Sequence, residues 1–390
     1  MSTQHPHSPA PDAGAPPLAG VIVADLSRVL AGPYATMLLA DMGATVIKVE
    51  SPSGDETRTW RPPTFEGEST YFLGVNRNKY SIALDFREPA DKEILTSLLS
   101  VTDVVVENFR PGALRAFDLD PETVCSMHPE LIWASITGFG SGEGADLPGY
   151  DLVAQAVSGW MDITGATDGP PTKVGVAAID VITGLHALSG ILAALYRRDH
   201  TGLGEHLEVI LLSSALSGLV NQSSAAAAGY SPTRLGNEHP SLTPYEVYSA
   251  ADREMVIAVG NDAQFRKLAT VLGLTDLASD PRFATMEARN THRAELRQHL
   301  GDALSHHPAQ YFVDALTAEG IPAGVVNSVG EGIKMAQDLG LSPVATPVAT
   351  PTIRHPVTYH HAPPVYHRDP PHLDADRDEV LRIIEKRRPR

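Results

Sequence analysis

Apolar residues fall into two alternating patterns along the first half of this chain. Short unbroken runs at residues 21–26 (VIVADL), 45–50 (TVIKVE), 103–107 (DVVVE) and 131–136 (LIWASI) have the length and β-branched content of strands buried on both faces. Between the first two, Ala31, Gly32 and Pro33 open a helical segment that runs through Met37, Leu38 and Leu39 and stops at Gly43. Residues 92–99 space their leucines as an amphipathic helix, and 111–117 predict a shorter one. A further strand is expected in NRNKYSIALDF (76–86), just after its basic residues. Strands alternating with helices predict a mainly parallel, Rossmann-like sheet covered on both faces, an α/β fold. The first turn lacks the G-x-G-x-x-G pattern, so a dinucleotide site with Glu50 on a ribose has little support. The loop GFGSGEG (138–144) has no helix directly after it and reads as a flexible loop rather than a phosphate cradle.

The second half changes texture. Residues 150–160 read as a helix, 206–212 (HLEVILL) as a strand, and the Ser- and Ala-rich stretch 213–228 as a helical connector. The turn-rich GNEHPSLTPYEVY (236–248) opens a smaller α+β region with a strand at 254–259 and helices at 262–272 and 291–304. Prolines and histidines crowd 343–371, which predicts an extended path over another domain or subunit, followed by a terminal helix at 375–386. The expected organisation is a disordered tail at 1–17, a large α/β domain at 18–212, a helical linker at 213–230, a small domain at 231–326 and a linking C-terminal segment at 327–390.

One carboxylate breaks the pattern. In the run 174–182, Asp180 is the only charge, and beyond it Ile182, Leu185, Leu188, Ile191, Leu192 and Leu195 recur at helical spacing. Asp180 is therefore placed near the front of a buried helix. Two readings stay open on these residues alone. As a first-turn residue it would accept backbone amides and suit the helix dipole. As a nucleophile it would exploit the space left by Gly175, Ala177, Ala178 and Gly184.

Composition narrows the field. With 390 residues, 43% hydrophobic and 20% charged, the chain can bury a large core. A net charge of −17 argues against a nucleic-acid partner but not against a nucleotide held in a local basic pocket. The single cysteine, Cys125, allows no internal disulfide and has no activating neighbours, which points to a reducing compartment and not to a catalytic thiol. His355, His360, His361, His367 and His372 are not spaced as a compact ligand set, so no metal is expected. No signal-peptide core is present and no apolar run is judged long enough for a membrane span, so a cytoplasmic protein without a membrane partner is expected.

Taken together, LSRVLAGPYATMLLADMGATVIKVE, SGDETR, NRNKYSIALDF, DVVVENFRPGAL, ASITGFG, GYDLVAQAVSG, DGPPTKVGVAAIDVITGLHALSGILAAL, GNEHPSLTPY and IPAGVVNSV resemble, in order, the class III coenzyme A transferases. That family includes formyl-CoA transferase, carnitine CoA-transferase and acyl-CoA racemases. The resemblance puts the family's nucleophilic aspartate on Asp180. It implies an acyl-CoA:carboxylate CoA-transferase with acyl-CoA and a free carboxylic acid as partners, coenzyme A as substrate rather than resident cofactor, and an aspartyl-CoA thioester as intermediate.

The family's CoA positions fall on Leu30 and Ala31, on Leu84, Asp85, Phe86 and Arg87, on Asn108, Phe109 and Arg110, and on Leu147, Pro148, Gly149 and Tyr150. Racemases of the family carry a histidine where this chain has Tyr150, whose ordinary pKa is too high to replace an imidazole, so transfer is expected over racemisation. A racemase and a non-catalytic CoA-binding protein are the alternatives. Leu30 stands where formyl-CoA transferase has a glutamine, Arg115 comes one place early, and no glycine run follows Pro244, which argues against formyl-CoA or oxalate and against Arg115 as a phosphate ligand. A small dicarboxylate is a plausible substrate, with Arg234, Asn237 and His239 at a suggestive loop that equally well only joins domains. The resemblance also implies an interlocked homodimer whose C-terminal segment returns to the large domain.

Overall fold

The computed structural model describes residues 14–345 and 348–387. The expected tail lies outside these up to residue 13. Residues 14–17 are not a loose end, however: a Cβ on Gly43 would come within 2.3 Å of the Pro16 ring, and Leu18 donates to the Met42 carbonyl. The chain forms two compact units, one from the described residues of Met1–Trp160, Val174–Tyr230 and Ser342–Arg390, the other from Met161–Lys173 and Ser231–Leu341.

Six parallel strands make the sheet of the first unit: β1 (Ile22–Asp25), β2 (Thr45–Glu50), β3 (Lys79–Ala83), β4 (Val104–Glu107), β5 (Ile132–Thr137) and β6 (Glu205–Ile210). Their order across the sheet is β3-β2-β1-β4-β5-β6. Val23 of β1 is in register with Val46 of β2 on one side and Val104 of β4 on the other. Helices α1 (Ala31–Asp41), α2 (Thr70–Leu73), α3 (Pro89–Leu99), α4 (Pro121–Met127), α5 (Asp151–Val157), α6 (Ala178–Thr201), α7 (Leu211–Gly218), α8 (Asn221–Ala227) and the late α14 (Arg377–Arg387) surround it.

The two-residue period of the strands sorts their side chains into two cores. Val23, Val104, Val106, Ile132, Ala134 and Ile136 pack with Leu39 of α1, Ile191 of α6 and Ala215 of α7. The alternate residues Ala24, Ile47, Val105 and Trp133 pack with Leu95 and Leu98 of α3, Val124 of α4, and Val380 and Ile384 of α14. Truncating one such fully buried aliphatic, Ile191 for instance, costs about 2–5 kcal/mol by leaving a cavity. In this strand order the connections leave β1 and β4 in opposite directions, so a crevice opens at their carboxyl ends, where doubly wound sheets hold ligands.

Several expectations are corrected here. The helix foreseen at 150–160 ends at Val157, because Gly159 takes φ +93°. The strand foreseen at 206–212 stops at Ile210, where Leu211 begins α7. The loop 138–144 folds back on 149: a Cβ on Gly138 would lie 2.5 Å from the Gly149 Cα, so only paired glycines permit the approach. Helix α6 has 24 residues, and an 18-residue window of it has mean hydropathy 1.7, long and apolar enough to cross a membrane, against the expectation that no segment is. Its packing is that of a core helix, with Ile179, Ala187 and Ile191 fully buried against the sheet.

The C-terminal segment covers the free edge of the sheet in this unit. Asp374 and Asp376 accept the amides of Ala83 and Ser81 on β3, at 2.8 and 2.9 Å, and Val365 donates to the Asp41 carbonyl. Carboxylates thus satisfy an edge that would otherwise pair with another chain. Apart from a two-residue pair at Val344–Ala345 and Thr352–Ile353, residues 343–371 have no regular structure where described.

In the second unit, β7 (Tyr245–Ser249), β8 (Glu254–Ala258) and β9 (Ala323–Val325) form an antiparallel sheet in the order β9-β8-β7. Tyr248, Met255 and Ile257 bury against Phe265 of α9 (Asp262–Val271), Leu296 and Leu300 of α11 (Arg293–Leu304) and Phe312 of α12 (Ala309–Ala318). The helix foreseen at 291–304 is α11, which starts two residues later at Arg293, and a short helix not foreseen, α10 (Met286–Thr291), precedes it across His292. Helix α13 (Val329–Asp338) opens with a Ser328–Glu331 capping box.

Candidate active site

The cleft in the first unit begins with the turn between β1 and α1. Val29 holds φ 69°, a left-handed conformation that a β-branched residue adopts only under constraint. The constraints are visible on both sides of it. Asp25 binds the amide and hydroxyl of Ser27, Lys48 Nζ donates to the Ser27 carbonyl at 3.0 Å, and the Asn108 side chain pairs with both the N–H and the C=O of Arg28, at 2.9 and 2.8 Å. The amide of Asn108, one of the expected CoA contacts, is thereby occupied in holding this turn.

Behind the turn lies a charged cluster buried to the last atom. Asp25 Oδ2 takes Lys79 Nζ at 2.9 Å and Thr36 Oγ1 at 2.7 Å, and Lys48 also reaches Asp55 at 2.9 Å. Burial alone would raise the Asp25 carboxyl, but Lys79, Lys48 and two hydroxyls hold it down at about 2. Burial lowers Lys79 to about 8 and leaves it cationic at neutral pH, so the pair is ionic.

The cleft, about 260 Å³, is lined by Leu30, Ala31, Asn108, Phe109, Arg110, Leu147, Pro148, Gly149, Tyr150 and Asp180, which the sequence nominated. Its walls also include Arg28, Val29, Glu56 and Thr137, which the sequence did not nominate, and Gly138 and Gly140 of the loop that the sequence read as flexible rather than as a phosphate cradle. Leu84, Asp85, Phe86 and Arg87 line a neighbouring cavity with Arg28 and Phe109. There Arg87 forms a two-point pair with Asp85, at 2.9 and 2.7 Å. Arg28 and Arg110 are exposed and, among the described residues, carry no ion pair. Arg115 lies loosely by Glu122, at 3.9 Å. Cys125 is outside the cleft, its thiol pushed up to about 11 by burial. No three His, Cys, Asp or Glu side chains are placed to hold a metal ion among the described residues.

Asp180 stands on the first turn of α6 and is 8% exposed. Gly184, one turn on, lets α1 approach: a Cβ there would sit 2.6 Å from the Ala31 carbonyl. The first-turn amides that could have stabilised Asp180 are already taken. Asp151 Oδ1 accepts the N–H of Ile179 at 2.8 Å and of Asp180 itself at 3.1 Å, while Gln155 holds Asp151 Oδ2 at 2.5 Å. Among the described residues nothing donates to the Asp180 carboxylate. Burial, and then the charge of Asp151, raise its carboxyl from 3.8 to about 7. That shift disfavours the ionised form by roughly 4 kcal/mol. Tyr71 on α2 is pushed up to about 12 by burial and by Asp180 and Asp151, so its phenol stays protonated. Asp151 was legible as a neighbour of Tyr150 in the GYD motif; Tyr71 left no signal.

In the second unit, the loop before β7 contains Arg234, Asn237 and His239. Two guanidinium nitrogens of Arg234, Nε and Nη1, are buried without an acceptor among the described residues. His239 Nδ1 accepts the amides of Ser241 and Leu242, at 3.0 and 3.1 Å, which leaves its proton on Nε2. Asn237 is exposed.

A parallel α/β sheet, a crevice at its strand ends, two arginines without an ion pair among the described residues and a buried carboxylate that holds its proton toward neutral pH make a cleft suited to an anionic ligand. The chain belongs to CoA-transferase family III, whose pattern it matches over residues 18–377. It is 41% identical over 384 residues to the succinate–glutarate CoA-transferase of Agrobacterium fabrum, covering 95% of this chain and 96% of that one. To the acetyl-CoA:oxalate CoA-transferase of Acetobacter aceti it is 40% identical, over 82% of this chain and 83% of that one. Among solved structures, a CaiB/BaiF family protein from Brucella suis superimposes with TM-score 0.87 at 40% identity, over 95% of this chain and all of that one.

Proposed function

We propose that this protein is an acyl-CoA:carboxylate CoA-transferase acting on small dicarboxylic acids through Asp180. The observation that carries the reading is a buried carboxylate with no hydrogen-bond donor among the described residues, facing a cleft at the strand ends. A carboxylate so desolvated is more basic and more nucleophilic than one in water.

The chemistry needs no other nucleophile. One oxygen of Asp180 attacks the thioester carbonyl of the donor, and the C–S bond breaks to give an acyl-aspartyl anhydride and CoA thiolate. The thiolate then attacks the Asp180 carbonyl, releasing the donor acid and leaving Asp180 as a CoA thioester. An acceptor carboxylate attacks that thioester, and the thiolate it expels takes the new acyl group, which restores Asp180. Each tetrahedral oxyanion needs donors placed before it forms.

Arg28 and Arg110, unpaired in a strongly acidic protein, suit the phosphates of CoA, and Phe109 and Leu147 give the adenine apolar faces. Leu84, Asp85, Phe86 and Arg87 would extend the nucleotide site into the neighbouring cavity. In the second unit, Arg234 keeps two guanidinium nitrogens without an acceptor among the described residues, a group able to bind a carboxylate. Succinate and glutarate are acids of this class in the name of the Agrobacterium relative. An oxalate-named relative at 40% identity keeps oxalate in the panel of acids despite Leu30. The described residues lining the cleft include no histidine, and Tyr150 occupies the place of a racemase base, which favours transfer. Exposed Leu152, Val157, Leu185, Tyr196 and Leu216 favour a homodimer, measurable by light scattering.

The test is a matrix of acyl-CoA donors against free acids, read by mass spectrometry of the new thioesters. Transfer between succinyl-CoA and a dicarboxylic acid supports the reading. Deuterium uptake at the α-carbon of a chiral acyl-CoA, without transfer to any acid, would replace it with a racemase.

A further inference from the structure

Helix α6 has no cap of its own. Its first flanking residue, Ala177, carries only a methyl group, and no side chain within the segment accepts an N-terminal amide. The cap comes from another helix, where Asp151 Oδ1 takes the two amides and Gln155 fixes Oδ2. Gln155 is itself anchored, its Oε1 accepting the Val174 amide at 2.9 Å. The result is a half-buried relay running from 174 through Gln155 and Asp151 to the backbone of the residue that carries the nucleophile.

We propose that Asp151 is a positioning residue for the transfer reaction: it locks the first turn of α6, and by occupying the amides of Ile179 and Asp180 it denies them to the Asp180 carboxylate. This deepens the reading of Asp180 as nucleophile and rests on it. A carboxylate on the first turn of a long helix is ordinarily stabilised by free amides and by the dipole, which makes it a weak nucleophile. Here those amides face a rival carboxylate, and the two negative groups repel. When Asp180 is acylated or converted to the CoA thioester it loses its charge, and that repulsion is relieved. The arrangement therefore favours the covalent intermediate over the free carboxylate.

The titratable groups facing this end of α6 are few. Asp151 comes from α5, Tyr71 from α2 and Tyr34 from α1, while Arg28, Glu56 and Arg110 stand on other walls of the cleft. Only Asp151 is both anionic and bonded to the turn that bears Asp180. Its removal has a signature distinct from damage to the fold, because it changes the pH at which Asp180 becomes a nucleophile.

The experiment is a single-turnover measurement of Asp180–CoA formation from succinyl-CoA against pH, in wild type, Asp151→Asn and Gln155→Met. Asparagine keeps an oxygen for the two amides and removes the charge, and its Nδ2, a donor facing the donor Gln155 Nε2, gives up that bond. Its midpoint is expected to fall by at least about one pH unit while the adduct still forms. Gln155→Met frees one oxygen of Asp151 but keeps its charge, so the adduct should form several-fold more slowly with the midpoint unmoved. A wild-type midpoint in Asp151→Asn, or a wild-type rate in Gln155→Met, overturns the proposal. Should Asp151→Asn fail to fold, the Gln155→Met result decides alone. A wild-type enzyme that transfers CoA without any adduct on Asp180 would instead remove the nucleophile reading, and this inference with it.

Discussion

Asp25 and Asp180 are both buried aspartates in the same unit, and they sit at opposite ends of the range a carboxyl group can reach. Asp25, at the end of β1, is fully buried yet held near 2, because two lysines and two hydroxyls converge on it. Asp180, on the first turn of α6, is almost as buried but rises to about 7, because burial is joined by the charge of another carboxylate, Asp151. Burial is common to the two; partners decide the outcome. The first arrangement holds the strained turn at Val29 in place, and the second leaves a carboxylate facing the cleft to which nothing donates among the described residues, the group that the proposed reaction uses as its nucleophile. A buried carboxylate is thus a structural part or a chemical one according to what donates to it.

The largest expected effect tests the chemical half of this contrast. Asp180→Ala should lower kcat for CoA transfer from succinyl-CoA by about 10⁴-fold or more, as loss of a covalent nucleophile does. A steady-state assay with full activity in that variant would break the contrast outright. Next comes the structural half. Asp25→Ala strands the buried Lys79 without its counter-charge, while Lys48 keeps Asp55, and should cost about 3–5 kcal/mol of stability, measured by urea denaturation. A loss below about 1 kcal/mol would mean that the cluster is not what fixes the turn.

The third effect is smaller and has a definite sign in pH. Asp180 binds its proton more tightly folded than unfolded, so its ionisation costs stability that is absent below about 4 and complete above about 7. Asp180→Asn should therefore be more stable than wild type at pH 8 by about 1–3 kcal/mol, and the gain should vanish as the pH falls to about 4. Asp25 runs the other way, its contribution present above about 4 and lost as the pH drops through about 2. Thermal melts of both series would sharpen the contrast if the two slopes oppose each other. The smallest effect is expected of Asn108→Ala. It removes two hydrogen bonds to the Arg28 backbone, which should cost about 1–2 kcal/mol and raise KM for acyl-CoA several-fold. An unchanged KM would show that the turn holds its shape without that amide.

Much of this was legible in the chain itself, and the limits have physical causes. The strands at 21–26, 45–50, 103–107 and 131–136 stand out because a sheet buried on both faces demands unbroken apolar runs, and Asp180 stands out because it interrupts one. Regions whose form depends on distant partners did not stand out. The glycines at 138 and 149 touch only after folding, so their loop read as flexible. The tie from Asp151 to the α6 amides spans 28 and 29 residues, and no spacing rule reports it. Tyr71 meets Asp180 only through the fold. Helix α6 misled in another way, since a long apolar core helix and a membrane span have the same composition.

The measurement closest to the central claim is peptide mapping of enzyme mixed with succinyl-CoA and quenched with hydroxylamine, which converts an activated carboxyl to a hydroxamate. The account predicts the modification on the peptide that carries Asp180, dependent on the donor and absent from Asp25 and Asp151. Turnover with Asp180 unmodified, or a hydroxamate on another carboxylate, would contradict it.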